Sequence, residues 1–170
     1  MSGYDDGENR EQALEHLTAA ISYLRSCSRA EAESSARRCF ELLSSWLRPP
    51  SQFPHLSLLD AKGYAGTVEE SGFIYGFCPH HLVPYHGSYR LRFRPGPYIA
   101  GLSSISRVVD HFSRRALLQE NLTQELGQFF YEHLRPQDLE IRISARHFCK
   151  EMQVANSSCS TQDFVTSWSP

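Results

Sequence analysis

No run of apolar residues in this chain approaches the roughly 20 needed to cross a bilayer. The opening Met1-Ser2-Gly3-Tyr4-Asp5-Asp6 is acidic where a secretory leader would be basic and then apolar. Neither a membrane span nor a leader is therefore expected. An excess of one charge is also missing: 17 Lys and Arg against 19 Asp and Glu give a formal charge of −2. That balance argues against nucleic acid or an anionic membrane as the main partner. Cysteine is sparse and odd in number, five in all, without the paired spacing of a disulfide framework. A reduced, cytoplasmic protein is expected, and the sequons at Asn121 and Asn156 are then chance matches. There are no repeats and no low-complexity segment. What is present, 170 residues with 41% hydrophobic and 21% charged, suffices for a soluble globular domain with a sizeable core.

The period of the apolar residues divides the chain. Residues 1–8 are polar and read as a frayed tail. Leu14, Leu17, Ile21 and Leu24 recur at helical spacing from Asn9 to Arg25. Ser28 and Glu31 then form a capping box for a second helix carrying Ala36, Cys39, Phe40, Leu43 and Leu47 on one face, stopped by Pro49-Pro50. Residues 51–70 read as a connector with turns at Gly63 and Gly66. After it the period becomes two. Phe73 to Phe77 reads as a strand, and Gly87 to Arg94 as another, with Tyr89, Leu91 and Phe93 opposite Arg90, Arg92 and Arg94. Two amphipathic helices follow, the first opening near Ser103 and the second running from Leu118 to Phe130. Leu139, Ile141, Ile143 and Ala145 mark a third strand, and Val154 to Trp168 a fourth, less regular one. This order predicts an α+β domain with helices on one face of an antiparallel sheet. The organisation expected is a tail and helical hairpin over 1–50 and the α+β domain over 51–170. The arginine-rich face of the sheet either meets solvent or lines a tunnel made by several subunits.

Two clusters carry chemistry. Cys78-Pro79-His80-His81 follows one strand, and His147-Phe148-Cys149 ends another. Thiolate and imidazole are the donors Zn²⁺ prefers, and a catalytic zinc takes three protein ligands with a fourth position open to water. The plainer alternative is that these are ordinary buried or loop residues that never meet. If strand alternation persists past His147, it shares a face with Cys149.

In these segments the chain resembles the GTP cyclohydrolase I family. Cys78-Pro79-His80-His81-Leu82-Val83-Pro84 is similar to that family's Cys-Glu-His-His-Leu-x-Pro loop. Gly101-Leu102-Ser103-Ser104-Ile105-Ser106-Arg107-Val108-Val109 is similar to its Gly-Leu-Ser-Lys-x-x-Arg-x-Val helix. Gln119-Glu120-Asn121-Leu122-Thr123 is similar to its Gln-Glu-Arg-Leu-Thr segment, and His147-Phe148-Cys149 to its His-x-Cys. One such match would be weak, but four in order span nearly half the chain. The resemblance implies a T-fold, ββααββ behind an N-terminal helical region, assembled as a homo-oligomeric ring of decamer size with active sites between subunits. It implies Zn²⁺ on Cys78, His81 and Cys149, with His80 and His147 as catalytic acid and base groups. Glu120 with Gln119 would hold a guanine ring, and Ser103 and Arg107 would face phosphates. The implied reaction opens the imidazole ring of GTP at C8, releases formate and recloses the product to dihydroneopterin triphosphate. The residue types suit it: zinc brings the pKa of water near 7, imidazole titrates near working pH, and a carboxylate accepts two bonds from a base edge.

The chain departs from the family pattern on the phosphate side. Ser104 stands for Lys, and Gln153-Val154 for Arg-Gly; Pro79 replaces Glu in the metal loop. Charge-assisted contacts contribute about 1.5–3 kcal/mol each, so losing two weakens triphosphate binding more than about a hundredfold. Lys62, Arg146 and Lys150 are candidates to compensate. Three functions follow: the family reaction on GTP, the same ring opening on a guanine base, nucleoside or monophosphate, or an inactive zinc-stabilised module that binds a pterin or a partner.

Overall fold

Ser28 and Glu31 show how local sequence sets the first elements. The computed structural model describes residues 6–47, 51–153 and 161–169. Helix α1 (Asp6–Arg25) turns at Ser26, which adopts a left-handed φ of 49°, into α2 (Arg29–Leu47). The Ser28 N–H donates to Glu31 Oε2 at 3.1 Å and the Glu31 N–H to Ser28 Oγ at 3.4 Å, the reciprocal pair expected of a capping box. Arg29 grips both carboxylate oxygens of Glu15, at 2.8 and 2.7 Å, across the hairpin. The first helix starts three residues earlier than its apolar pattern suggests, so the expected tail shortens; residues 1–5, the Pro49-Pro50 stop, and residues 154–160 with Asn156 and Cys159 lie outside the described residues. The chain divides into two compact units, Met1–Trp46 and Leu47–Pro170. No helix among the described residues is long and apolar enough to cross a membrane.

The second unit is built on alternation. Strands β2 (Val68–Phe77), β3 (Pro84–Arg94), β5 (Asp138–His147) and β6 (Gln162–Trp168) form one antiparallel sheet in the order β2-β3-β5-β6. A separate pair joins β1 (Leu58–Asp60) to β4 (Tyr98–Ala100). Tyr85, Tyr89, Leu91 and Phe93 of β3 and Leu139, Ile141, Ile143 and Ala145 of β5 point inward. Helices α3 (Leu102–Ser113) and α4 (Gln119–Leu134) cover that face with Ile105, Val108, Val109, Leu122, Leu126 and Phe130. Each large apolar side chain buried this way contributes about 1.5–3 kcal/mol. The result is the expected ββααββ arrangement with helices on one face. On the opposite face Arg90 pairs with Glu69 at 3.4 Å, and Arg94 with Asp138.

One glycine fixes the register that the site depends on. Gly87 stands opposite Ala145, and a Cβ there would fall inside the carbonyl oxygen of Ser144 on the neighbouring strand. The obstacle is backbone, so relief means moving β3 off β5. Gly87→Ala is expected to cost about 3 kcal/mol, the upper part of the overpacking range. That corresponds to a melting point lower by about 6–12 °C. A thermal melt indistinguishable from wild type would contradict this reading of the β3–β5 pairing.

The register also places the chemistry. Phe77 pairs with Pro84 and Tyr85 with His147, so the end of β2, the start of β3 and the end of β5 lie together. A bridge from Phe77 to Ala116 brings the α3–α4 connection, and with it the start of α4, to the same end.

Candidate metal centre and active site

The loop after β2 closes on itself. The Cys78 N–H donates to Val83 O at 3.0 Å and the Leu82 N–H to Cys78 O at 2.9 Å. Closure puts Leu82 in the left-handed region, with φ of 50°, a conformation costing a non-glycine residue about 1–2 kcal/mol. The turn gathers the donors: Cys78 Sγ lies 3.6 Å from His81 Nδ1 and 4.0 Å from His80 Nδ1. Cys149 is distant in sequence but comes from the same end of the sheet, just past the last residue of β5. It sits on α5 (Phe148–Gln153), a short helix that begins directly after His147. The condition for a shared strand face, alternation persisting past His147, is not met, because pairing in β5 stops at His147 and the backbone then turns helical.

Donor atoms of Cys78, His81 and Cys149 all lie within 4.8 Å of one another. Two thiolates and one imidazole are a donor set that fits zinc and leaves a coordination position open. Burial, followed by the hydrogen bond that the Cys149 thiol donates to Cys78 and the charge of Cys78, pushes the Cys149 thiol above its ordinary value. A raised thiol is protonated at neutral pH and must lose that proton to bind a metal, so affinity rises with pH. Each proton released makes apparent affinity climb tenfold per pH unit, and zinc affinity is expected to rise at least that steeply between about pH 6 and 8. A pH-independent chelator competition would contradict it.

Beside this cluster is a cavity of about 310 Å³. Of the nine residues singled out in the sequence, seven line it: the three donors with His80, His147, Gln119 and Glu120. A larger open hollow of about 610 Å³ lies on the arginine-bearing face, bounded by Ser88, Arg90 and Arg142, and holds no cluster of metal donors among the described residues. The smaller cavity is where the chemistry gathers. Leu117, Leu118 and Phe164 supply it with an apolar wall that no local motif revealed. Lys150 also lines it, whereas Arg146 is held by both carboxylate oxygens of Glu151, at 2.9 and 3.0 Å.

Gln119 is almost fully buried at 1% exposure. Its Nε2 donates to the carbonyls of Ile143 and Gln162, both at 2.9 Å, which uses both of its N–H groups. Its oxygen therefore cannot trade places with its nitrogen, and Oε1 must accept the 2.6 Å bond from His147. It follows that Nε2 of His147 carries the hydrogen and Nδ1 is the nitrogen open to proton exchange. The Tyr85 ring stacks on His147 with centroids 4.9 Å apart. Burial lowers the His147 pKa, opposed by the Glu120 carboxylate and reinforced by Lys150, so the imidazole is neutral at neutral pH. The Tyr85 hydroxyl is buried without a partner among the described residues, and its pKa is raised by that burial and then by Cys78 and Glu120.

Ser103 and Arg107 are not brought into this cavity. Both are exposed on α3, where the Arg107 Nε–H donates to Ser103 O at 3.1 Å. Ser104 is fully buried, and its hydroxyl donates to Gly101 O at 2.6 Å.

A model of the family described as GTP cyclohydrolase I matches residues 10–168. The chain belongs to the GTP cyclohydrolase I family. Among similar proteins, a GTP cyclohydrolase 1 of Campylobacter lari is 34% identical over 128 residues, covering 73% of this chain and 67% of that protein. One of Bacteroides fragilis is 36% identical over 94 residues, 54% of this chain and 48% of that protein. One of Latilactobacillus sakei is 40% identical over 80 residues, 46% and 42% respectively. The matched stretches thus span about half to two thirds of these family members. A crystal structure of the archaeosine synthase QueF-Like in the apo form overlays with a TM-score of 0.51 at 10% identity, covering 61% of this chain and 94% of that one. At that identity the likeness is one of fold alone, and it supports the T-fold. Cys78, His81 and Cys149, the group that could hold a metal, fall within the matched residues, as do Ser104 and Gln153.

Proposed function

We propose that this chain is a zinc-dependent hydrolase that opens the imidazole ring of a guanine nucleotide at C8 and releases that carbon as formate. The observation that carries the reading is one cavity joining three converging metal donors to two further histidines and a carboxylate, in a chain of this family. Cys78, His81 and Cys149 hold the metal, which when bound supplies Lewis-acid activation of water. His147 Nδ1, with its partner nitrogen tied to Gln119, takes a proton from the attacking water and returns one to a ring nitrogen as the C–N bond opens. His80, beside the donors in the same loop, is the second proton-transfer group. Glu120, in the first turn of α4, accepts two bonds from the N–H edge of the base, while Leu117, Leu118 and Phe164 contact its faces. Gln119 acts on the substrate through His147, since it has no N–H left to offer.

The catalytic domain in this reading is the second unit, and the helical hairpin is a separate N-terminal domain. Ser103 and Arg107, exposed and outside this chain's own cavity, would serve the phosphates of a neighbouring subunit's site in a homo-oligomeric ring.

A second reading of the substrate has its own observation. Ser104 is sealed inside the first turn of α3, and Gln153 contacts His81, so neither position where the family pattern has a cation can present one. This favours a guanine compound with fewer phosphates than GTP. The test is a panel of GTP, GMP, guanosine, guanine and 8-oxoguanine with zinc-loaded protein, following formate and the loss of purine absorbance. Formate from GTP, with a fluorescent pterin after oxidation, supports the first reading. Formate only from compounds with one phosphate or none supports the second. No formate from any of them sinks both.

A further inference from the structure

His81 meets neighbours through both ring nitrogens. Nδ1 faces the converging donors, 3.6 Å from Cys78 Sγ. Nε2, on the other side of the ring, lies 2.9 Å from Nε2 of Gln153. Two nitrogens at that distance cannot both present hydrogens. Either the amide N–H donates to a bare Nε2, or the amide turns half a revolution and its oxygen accepts from Nε2–H. The second arrangement is forced once a metal occupies Nδ1, because a neutral imidazole then carries its only hydrogen on Nε2. The half-turn is free of other consequences: the Gln153 amide makes no other hydrogen bond among the described residues.

We propose that Gln153 is a positioning residue for the metal centre, accepting a hydrogen bond from His81 Nε2–H and so fixing both the tautomer and the ring orientation of that ligand. The inference rests on the metal reading above and adds to it a role for a residue outside the donor set. The placement has a local cause. Gln153 follows Cys149 by four residues on α5, the spacing that puts two side chains on one helical face. One short helix therefore delivers a ligand from Cys149 and the acceptor that orients a second ligand from a different segment. Docking of α5 and assembly of the donor set become a single event. Acceptors of this kind, set behind a ligating histidine, typically change metal affinity 10–100-fold. The position is also unavailable for a phosphate contact, because its amide is used on the metal side.

The experiment measures zinc affinity of the full chain by competition with a chromophoric chelator at fixed pH, alongside thermal melting of the metal-free protein. Gln153→Ala removes the acceptor and should weaken zinc binding 10–100-fold with the metal-free melt unchanged. Gln153→Glu keeps an acceptor at the same reach and should bind zinc as tightly as wild type or more tightly. That rescue is something a merely space-filling role would not produce. Alanine and glutamate variants both within threefold of wild type would overturn the proposal while leaving the metal site intact. A glutamate variant as weak as the alanine variant would also overturn it. Failure of the wild-type chain to take up zinc would remove this proposal together with the metal reading beneath it.

Discussion

Cys149→Ser is expected to leave a folded protein that no longer retains zinc and releases no formate from any guanine compound. The thiolate of Cys149 is one of three donors gathered within 4.8 Å, and it alone comes from α5 rather than from the loop after β2. Zinc bound to a full set of protein ligands is held by about 10–16 kcal/mol near neutral pH. A single sulfur accounts for something like a quarter to a third of that, about 3–5 kcal/mol, or roughly 10²–10³-fold and more in affinity. A serine hydroxyl recovers little of this, since an alcohol does not ionise at working pH and is a harder donor than sulfur. The sheet register does not depend on the residue, so the thermal melt of the metal-free protein should change little. Retention of one zinc per chain in Cys149→Ser would mean that the donors are others than those named here.

His147→Ala separates proton transfer from metal binding. The imidazole sits on the ring of Tyr85 and is tied through Nε2 to a glutamine with no freedom to turn. It is held as a neutral group with Nδ1 open, an arrangement suited to moving a proton and unnecessary for a spectator. Removal should lower the rate of formate release about 10²–10⁴-fold, the range for a positioned acid or base. Zinc affinity should stay within about threefold of wild type, because the residue is outside the donor set. The Gln119 oxygen is left without its partner, at a cost in stability of about 1–3 kcal/mol. Metal loss in this variant, or an undiminished rate, would refute the role assigned to His147.

The parts of this protein that could be read from its sequence are those whose cause is local. Alternation in β3 and β5 was visible because Tyr89, Leu91 and Phe93, and Leu139, Ile141, Ile143 and Ala145, point inward while the residues between them are polar. The capping box at Ser28 and Glu31 needs four consecutive residues and nothing else. The donor clusters were visible as residue types at strand ends. Elements held by distant partners were not. Strands β1 and β4 are three residues each and exist through pairing with each other across some forty positions. The turn into α5 was hidden because His147 and Cys149 fit two-residue alternation as well as they fit a strand end followed by a helix. Nor could the sequence show that Gln119 turns its amide inward, since the carbonyls it serves belong to β5 and β6. Ser103 and Arg107 were named with the rest of the site, yet a single chain leaves them on its surface. In the function proposed above, a neighbouring subunit would bring them to a cavity.

X-ray absorption at the zinc edge, on protein loaded with one equivalent of metal, goes straight to the coordination sphere. Two sulfurs at about 2.3 Å, one imidazole nitrogen at about 2.0–2.1 Å and one further light atom are the result required of Cys78, Cys149 and His81 with a position left open. A sphere without sulfur, or one closed by four protein ligands, would contradict it.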